Sequence, residues 1–212
     1  MAEMKKKKIF HSDTIKLVYW NEPNFGDMLS PYIISSFTGK KIIYKSGYYG
    51  FFNWLKHTLK CLSLFKFRDL HSTLFPWEVN LLGIGSIISI GNTHSFIWGS
   101  GFLSNKGNFN GGRVCAVRGK YTNDKLIKLG FEGTSILGDP AMLIPLLVSP
   151  AKTKSTDIAI IPHWTETDYF ISKYGKAYKI IDLRTNDIKK IILEITSCNY
   201  ILSTSLHGII VS

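Results

Sequence analysis

The stretch DIAIIPHWTETDYFISKYGKAYKIIDLRTNDIKKIILEITSCNYILS, residues 157–203, carries the pattern that decides the fold. Short apolar runs alternate in it with segments whose apolar residues recur at helical spacing. We predict strands over 157–161, 179–183 and 200–203, and helices over 166–173 and 187–196. Strands that alternate with helices of about ten residues are typical of β-α-β units with a parallel sheet.

The same alternation precedes this stretch. A strand over 15–20 leads through the loop NEPNFGD, residues 21–27, into a helix over 28–37, and further strands and helices follow at 41–44, 80–83, 95–98, 113–118 and 122–129. The polar segment PAKTKSTD interrupts the pattern and has the composition of a linker. The sequence therefore predicts an α/β protein with two doubly wound domains: an N-terminal domain over 1–149, a linker over 150–156 and a C-terminal domain over 157–212.

The composition limits the class of protein. With 212 residues, 45% of them apolar, the chain has ample material for a core. It has no apolar run of about 18 residues, and no apolar stretch follows its basic start, so neither a transmembrane helix nor a signal peptide is expected. Its cysteines are odd in number and far apart, which argues against disulfides and zinc. We predict a cytoplasmic protein.

The net charge of +11 raises the question of nucleic-acid binding. Only four of the 26 basic residues are arginines, and the lysines are spread along the whole chain. No nucleic-acid partner is therefore expected. Because arginines are few, each becomes a candidate for a specific contact with a carboxylate or phosphate.

Residues 51–62 form an apolar stripe at helical spacing through Phe52, Leu55, Leu59 and Leu62, with lysines off the stripe. Such a helix either packs on its own domain, as a core helix or a lid, or lies on an anionic membrane surface. Peripheral membrane contact through residues 51–68, on the inner face of the membrane, stays open beside the packed helix.

Ligands of doubly wound sheets bind outside the carboxyl ends of the strands. This rule selects the loops 21–27, 99–102, 163–165 and 204–208. Asp27 opens a helix there, either as its N-cap or as a carboxylate that accepts a proton from a hydroxyl. Arg118 ends a strand just before a helix and is either an anion ligand or a surface residue.

Two histidines, His163 and His207, each follow a strand of the second predicted sheet and could supply a proton or an anion contact. Asp139, in the turn GDP, is interpreted as mainly structural. The sequence contains no HExxH or CxxC motif, no GxSxG elbow and no phosphate-binding GxxxxGK loop. A metal site, a serine hydrolase and a P-loop nucleotidase are therefore disfavoured.

Taken in order, the motifs NFGD, LGIGS, WGSGF, RGxxT, GDPA, IPH and SxSLHG resemble those of the polysaccharide pyruvyl transferase family, over residues 21–211. The resemblance implies two Rossmann-like domains of the GT-B type. It also implies transfer of a carboxyethylidene group from phosphoenolpyruvate to hydroxyls of a sugar, in a cell-surface or capsular polysaccharide or its lipid-linked precursor. Phosphoenolpyruvate is then the donor substrate, and no cofactor is required.

The resemblance also implies roles for residues. Arg118 and His207 hold the phosphoenolpyruvate anion, His207 or His163 donates the proton, and Asp27 is the base or a contact of the acceptor sugar. Further substrate contacts and backbone donors come from the same loops: Asn24, Gly99, Ser100, Gly101, Ser205, Leu206 and Gly208. The chain departs from the family at Ser205, where some members carry an arginine.

Two other functions remain open: a GT-B glycosyltransferase that uses a nucleotide sugar, and an inactive fragment that acts as a basic binding module. The end of the chain bears on the second of these. The helix that begins near Leu206 stops after about one turn and leaves Ile209, Ile210 and Val211 without the helix that should bury them. We therefore predict a C-terminally truncated chain with an incomplete second domain and doubtful activity.

Overall fold

The strands of the chain form two parallel sheets in the computed structural model, which describes residues 13–47, 51–65, 70, 72–75 and 77–212. The first sheet contains β1 (Thr14–Val18), β2 (Lys41–Lys45), β3 (Asn80–Leu82), β4 (Ser95–Trp98) and β5 (Arg113–Ala116). Its strand order is β2-β1-β3-β4-β5. The second sheet contains β6 (Thr156–Ile161), β7 (Lys179–Ile180) and β8 (Cys198–Ser203), in the order β7-β6-β8. The predicted α/β class with parallel sheets is confirmed.

Helices connect most of the parallel strands, whereas residues 99–112, between β4 and β5, contain no helix. The helices are α1 (Phe25–Thr38), α2 (Phe51–Ser63), α3 (Lys120–Lys128), α4 (Thr167–Tyr174), α5 (Ile188–Thr196) and α6 (Leu206–Ile210), with 3₁₀ helices at Ile88–Ile90 and Pro140–Leu146. The ends of α1 show how the sequence sets these boundaries. The Asn24 side chain accepts a hydrogen bond from the Gly26 amide, and Gly39 closes the helix in the left-handed conformation at φ +65°.

Both faces of the first sheet are covered, which explains why its interior strand β1 is apolar throughout its second half. Leu17 and Ile15 of β1 pack with Ile34 of α1 on one face. Val18 packs with Leu82 and other apolar residues on the opposite face.

The largest apolar cluster joins the two sheets. Its buried members come from α1, from the 3₁₀ helix Pro140–Leu146 and from the second sheet with α5, and they include Phe25, Leu29, Ile33, Ile144, Ile181, Ile191 and Ile192. The Phe25 amide also donates a 2.8 Å hydrogen bond to the Leu183 carbonyl. Helix α1 therefore belongs to the cores of both sheets.

Two boundaries differ by three residues from the sequence prediction. Helix α1 begins at Phe25 and not at residue 28, because Asn24 caps it. Strand β7 ends at Ile180 and not at 183, where the Asp182 carboxylate bonds the Arg184 amide at 2.9 Å in a tight turn. The helix predicted over 51–62 is present as α2, whereas residues 66–68 of the predicted membrane segment lie outside the described residues.

The last helix, α6, packs on the shared cluster through Ile210 and Val211, while Ile209 is 62% exposed. The expectation that all three side chains lack a partner surface is therefore wrong for Ile210 and Val211.

In the part of the chain that the structure describes, no helix combines the length and apolarity that a membrane span needs.

Candidate functional site

A cleft of about 370 Å³ lies where the strand order of each sheet reverses. In the first sheet this switch point is between β1 and β3, and in the second it is beside β6, between β7 and β8. Such points are where open parallel sheets bind ligands. The loops after these five strands supply most of the lining: Trp20, Asn24, Asp27, Gly85, Ser86, Ile87, Leu103, His163, Trp164, Leu183, Ser205, Leu206 and His207.

Asp27 lies in the first turn of α1 and faces this cleft. The N-cap of α1 is Asn24, so the alternative that Asp27 caps the helix is wrong. A Cβ built on Gly85 would stand 3.4 Å from Asp27 Oδ1, which shows how closely the loop after β3 approaches the carboxylate. Burial raises the pKa of Asp27 from 3.8 to about 6. A carboxylate with this pKa is a stronger base than an exposed aspartate.

His207 lies in α6 with its ring against the backbone of α1. A Cβ added to Gly26 would fall 2.0 Å from His207 Nδ1, so this position requires glycine. His207 Nε2 is buried and has no hydrogen-bond partner among the described residues. Burial lowers the pKa of His207, the positive charge of Arg118 lowers it further, and the negative charge of Asp139 opposes both. The lowered pKa favours the neutral imidazole.

Arg118 contacts Ser86, and Ser86 lines the cleft. Arg118 Nη1 donates to Ser86 Oγ at 2.8 Å, and its Nη2 donates to the Phe102 carbonyl at 3.2 Å. The guanidinium covers Gly101, where a Cβ would stand 2.7 Å from Nη2. Arg118 itself lines a neighbouring cleft, together with Lys125 and Lys128 on α3. The charge of Arg118 acts on His207. Ser86, which the sequence prediction missed, lies between Arg118 and the cleft, and the anion site that Arg118 and His207 were expected to share stays a prediction.

Asp139, which the sequence predicts to be mainly structural, is the N-cap residue of the 3₁₀ helix Pro140–Leu146. It is buried, its Oδ1 accepts a 2.9 Å hydrogen bond from the Ala141 amide, and its Oδ2 has no partner among the described residues. Its charge acts on both Arg118 and His207. Asp139 follows a strand-like segment, because Leu137 forms a parallel bridge with Val117.

His163 is held at the cleft by hydrogen bonds between the two loops of the second sheet. Its amide donates to Thr204 Oγ1 at 2.8 Å, and that hydroxyl donates to Glu166 Oε2 at 2.7 Å. The His163 Nδ1 lies 2.7 Å from Thr165 Oγ1. The predicted pair of histidines therefore lines one cleft, with Asp27 on its other side.

Several predicted substrate contacts have structural roles. The Gly99 amide donates to the Ala116 carbonyl and the Gly101 amide to the Gly85 carbonyl, so neither is free to bind an anion. The Ser100 hydroxyl is buried and donates to the Gly85 carbonyl at 3.0 Å. The expectation of an anion site on these backbone donors is therefore wrong, because the segment fixes the loop after β3.

The turn before α6 shows the same pattern. The Ser205 hydroxyl caps α6 by accepting from the Gly208 amide, and a Cβ on Gly208 would stand 2.4 Å from Ser203 Oγ. Gly208 is thus required for packing and its amide is already bonded, contrary to its predicted role as an anion donor. Ser205 and Leu206 line the cleft, as does Asn24, whose Oδ1 caps α1.

A second cleft, of about 390 Å³, adjoins the first and shares Trp20 and Ile87 with it. Aromatic side chains dominate its lining: Tyr19, Trp20, Tyr44 and Trp54, with His57, Ser46 and Thr73 as polar neighbours. Trp54 is fixed by a 2.9 Å hydrogen bond from its Nε1 to the Thr73 carbonyl. We call this the aromatic cleft.

Among the described residues, no group of three or more His, Cys, Asp or Glu side chains is arranged to hold a metal ion.

Comparison with known proteins gives a distant viral relative. The chain is 31% identical over 135 residues to uncharacterized protein L143 of Acanthamoeba polyphaga mimivirus, a match that covers 60% of this chain and 47% of that protein. The chain thus spans about half the length of this curated relative. No protein-family model and no solved structure matches the chain. The similarity joins the chain to a viral protein and assigns no activity to the cleft.

Proposed function

We propose that the chain is a pyruvyl transferase, which moves a carboxyethylidene group from phosphoenolpyruvate to two hydroxyls of a sugar in a cell-surface polysaccharide or its lipid-linked precursor. One observation carries the proposal: a single cleft at both switch points combines a basic carboxylate, Asp27, with His163 and His207. The two facing parallel sheets also support a GT-B arrangement of two Rossmann-like domains. Phosphoenolpyruvate as donor implies a cytoplasmic reaction.

The donor carries a carboxylate and a phosphate, so its site needs cations and hydrogen-bond donors. Arg118 supplies a fixed positive charge, and the Ser86 hydroxyl that it holds faces the cleft. His207 Nε2 is buried without a partner, as expected of a group reserved for a ligand. An anion bound beside His207 raises its pKa and thereby strengthens the contact.

The reaction needs one proton donor and one base. We assign proton donation to His163, whose orientation Thr165 fixes. The proton goes to the methylene carbon of phosphoenolpyruvate and leaves a cation-like centre at the neighbouring carbon. A sugar hydroxyl attacks this centre and gives its proton to Asp27. Phosphate then leaves and takes the proton from Asp27. A second hydroxyl closes the ketal and gives its proton to His163, so both residues return to their starting states.

The acceptor sugar is assigned to the aromatic cleft. Tyrosine and tryptophan offer large apolar faces with a polar edge, which suits the apolar face and hydroxyl rim of a sugar ring. Trp20 and Ile87 line both clefts, so a sugar in the aromatic cleft would present its hydroxyls to the neighbouring site.

The test is phosphate release from phosphoenolpyruvate, measured with a panel of oligosaccharide acceptors. We expect release only when an acceptor is present, and loss of release in Asp27→Asn and His207→Gln. His94→Gln, at an exposed histidine before β4, is the matched control and keeps full activity. If both cleft variants retain full turnover, the assigned site is wrong.

A thermal-shift comparison separates this function from the alternatives. Phosphoenolpyruvate should raise the melting temperature, because it binds the folded state. Stabilisation by a nucleotide sugar and not by phosphoenolpyruvate would favour a glycosyltransferase, whose donor could use the cleft of Arg118, Lys125 and Lys128. Stabilisation by neither, together with salt-sensitive binding to polyanions, would favour a basic binding module.

A further inference from the structure

We infer that helix α2 docks on the surface of an anionic lipid bilayer. The helix turns its apolar side chains to solvent: Phe51 is 57% exposed, Phe52 84%, Leu55 38%, Leu59 57% and Leu62 48%. We call these five residues the apolar face. The sequence pattern alone left open whether the protein itself covers this face, and among the described residues the face is exposed.

A neighbouring side of α2 holds the helix on the protein. Thr58 and Cys61 are buried, and the Trp54 indole bonds the Thr73 carbonyl at 2.9 Å. At about 100° per residue, the apolar face lies on the arc next to these anchoring residues. The exposed apolar surface continues beyond the helix through Leu64 and Phe65. A contiguous apolar patch of this kind marks a surface that contacts a partner or a membrane.

The charges beside the apolar face select an anionic bilayer as the partner. Lys56 and Lys60 are exposed and follow the apolar face around the helix, and residues 51–65 contain no aspartate or glutamate. Apolar side chains beside lysines are the pattern of helices that lie in the membrane interface. Each lysine adds attraction to anionic lipid, and the net charge of +11 acts in the same direction.

The geometry is that of a helix lying flat. Thirteen residues make a helix about 20 Å long, too short to cross the hydrocarbon core but long enough to lie along its surface. Trp54 and His57 of the same helix line the aromatic cleft. Docking would therefore bring that cleft close to the lipid headgroups. Docking requires only the residues of α2 and does not depend on the proposed catalytic function.

The test is cosedimentation of the full chain with vesicles of phosphatidylcholine, with and without phosphatidylserine, at low and high salt. We expect binding to the anionic vesicles that weakens with salt. The double variant Phe52→Ser/Leu59→Ser should weaken binding at least tenfold, and Lys56→Glu/Lys60→Glu also at least tenfold. The matched controls are Ile136→Ser and Lys189→Glu, at an exposed apolar and an exposed basic position elsewhere.

The vesicle-binding results either support or overturn the inference. Binding that the α2 variants lose and the controls keep supports the inference, provided that the variants melt at the wild-type temperature. Equal binding to neutral vesicles, or no binding to either kind, overturns it. Analytical ultracentrifugation adds one more outcome: if the chain self-associates and Phe52→Ser/Leu59→Ser abolishes the association without any vesicle binding, the apolar face is an interface between copies.

Discussion

Replacing Asp27 with asparagine should make the protein more stable and inactive. The carboxylate is largely buried, and among the described residues no hydrogen bond or ion pair compensates for its burial. Asparagine has nearly the same shape but no charge to desolvate. The change therefore isolates the free energy that the folded protein loses by keeping a charge at the cleft.

The magnitude follows from the pKa. With 3.8 for the unfolded chain and about 6 for the folded protein, ionised Asp27 lowers the free energy of unfolding by about 3 kcal/mol at about pH 7.5. Ionisation of Asp27 lowers the free energy of unfolding, because the folded protein binds the Asp27 proton more tightly than the unfolded chain does. The contribution of Asp27 to stability is therefore most favourable below pH 3.8 and is lost as the pH rises through about 6. At about pH 5, roughly half of the destabilisation remains.

Urea unfolding of wild type and Asp27→Asn across this pH range measures the effect. We expect the variant to be more stable by up to about 3 kcal/mol at about pH 7.5, with a difference that narrows towards acid pH. Glu132→Gln, at an exposed carboxylate, is the control and should show no such difference. A variant that is no more stable than wild type at about pH 7.5 would refute the reasoning. In the activity assay, turnover of the wild type should fall below about pH 6, as Asp27 takes up its proton.

Three further predictions concern the surroundings of the cleft. Gly26→Ala should reduce phosphate release at least tenfold, because the new methyl displaces the His207 ring; an unchanged rate would contradict the close approach of α1. Asp139→Asn should lower the pKa of His207 further, since the charge that raises it is lost; an NMR titration of the imidazole measures this, and a rise would contradict it. Leu29→Ala should lower the free energy of unfolding by about 2–5 kcal/mol, and urea unfolding should show a single transition; separate transitions of the two sheets would contradict the shared core.

The alternation of strands and helices was enough to predict the positions of the cleft loops. The rule that ligands bind at the carboxyl ends of parallel strands selected the loops of Asp27, His163 and His207, and all three line one cleft. This succeeds because strand direction fixes which loops share an edge, whatever the details of packing.

Tertiary contacts determine several roles of individual residues that the sequence pattern did not predict. Asn24 and Asp27 are both good caps, and only the backbone geometry shows that Asn24 caps α1. Asp139 reads as a turn residue, and its burial beside Arg118 depends on segments far apart in the chain. The amides of Gly99 and Gly101 cannot bind an anion, because each donates to a carbonyl that is distant in the sequence. These carbonyls belong to Ala116, in β5, and to Gly85, in the loop after β3.

Helix α2 shows a different limit. Its periodicity predicted a helix but not the direction of its apolar side. The Trp54 hydrogen bond and the buried Thr58 and Cys61 orient it so that the apolar face points away from the protein. Hydrophobic periodicity predicts that an amphipathic face is covered, and it leaves open whether the protein itself covers that face.

The sharing of α1 between the two sheets has a consequence for cleavage of the chain. A protease cut within residues 150–156 would break the covalent link but leave Leu29 and Ile33 packed against Ile191 and Ile192. The Phe25 amide would also keep its bond to the Leu183 carbonyl. The nicked halves should therefore elute together in gel filtration. Expressed separately, each half would expose apolar surface that the other normally covers, and the two should regain a stable fold only when mixed.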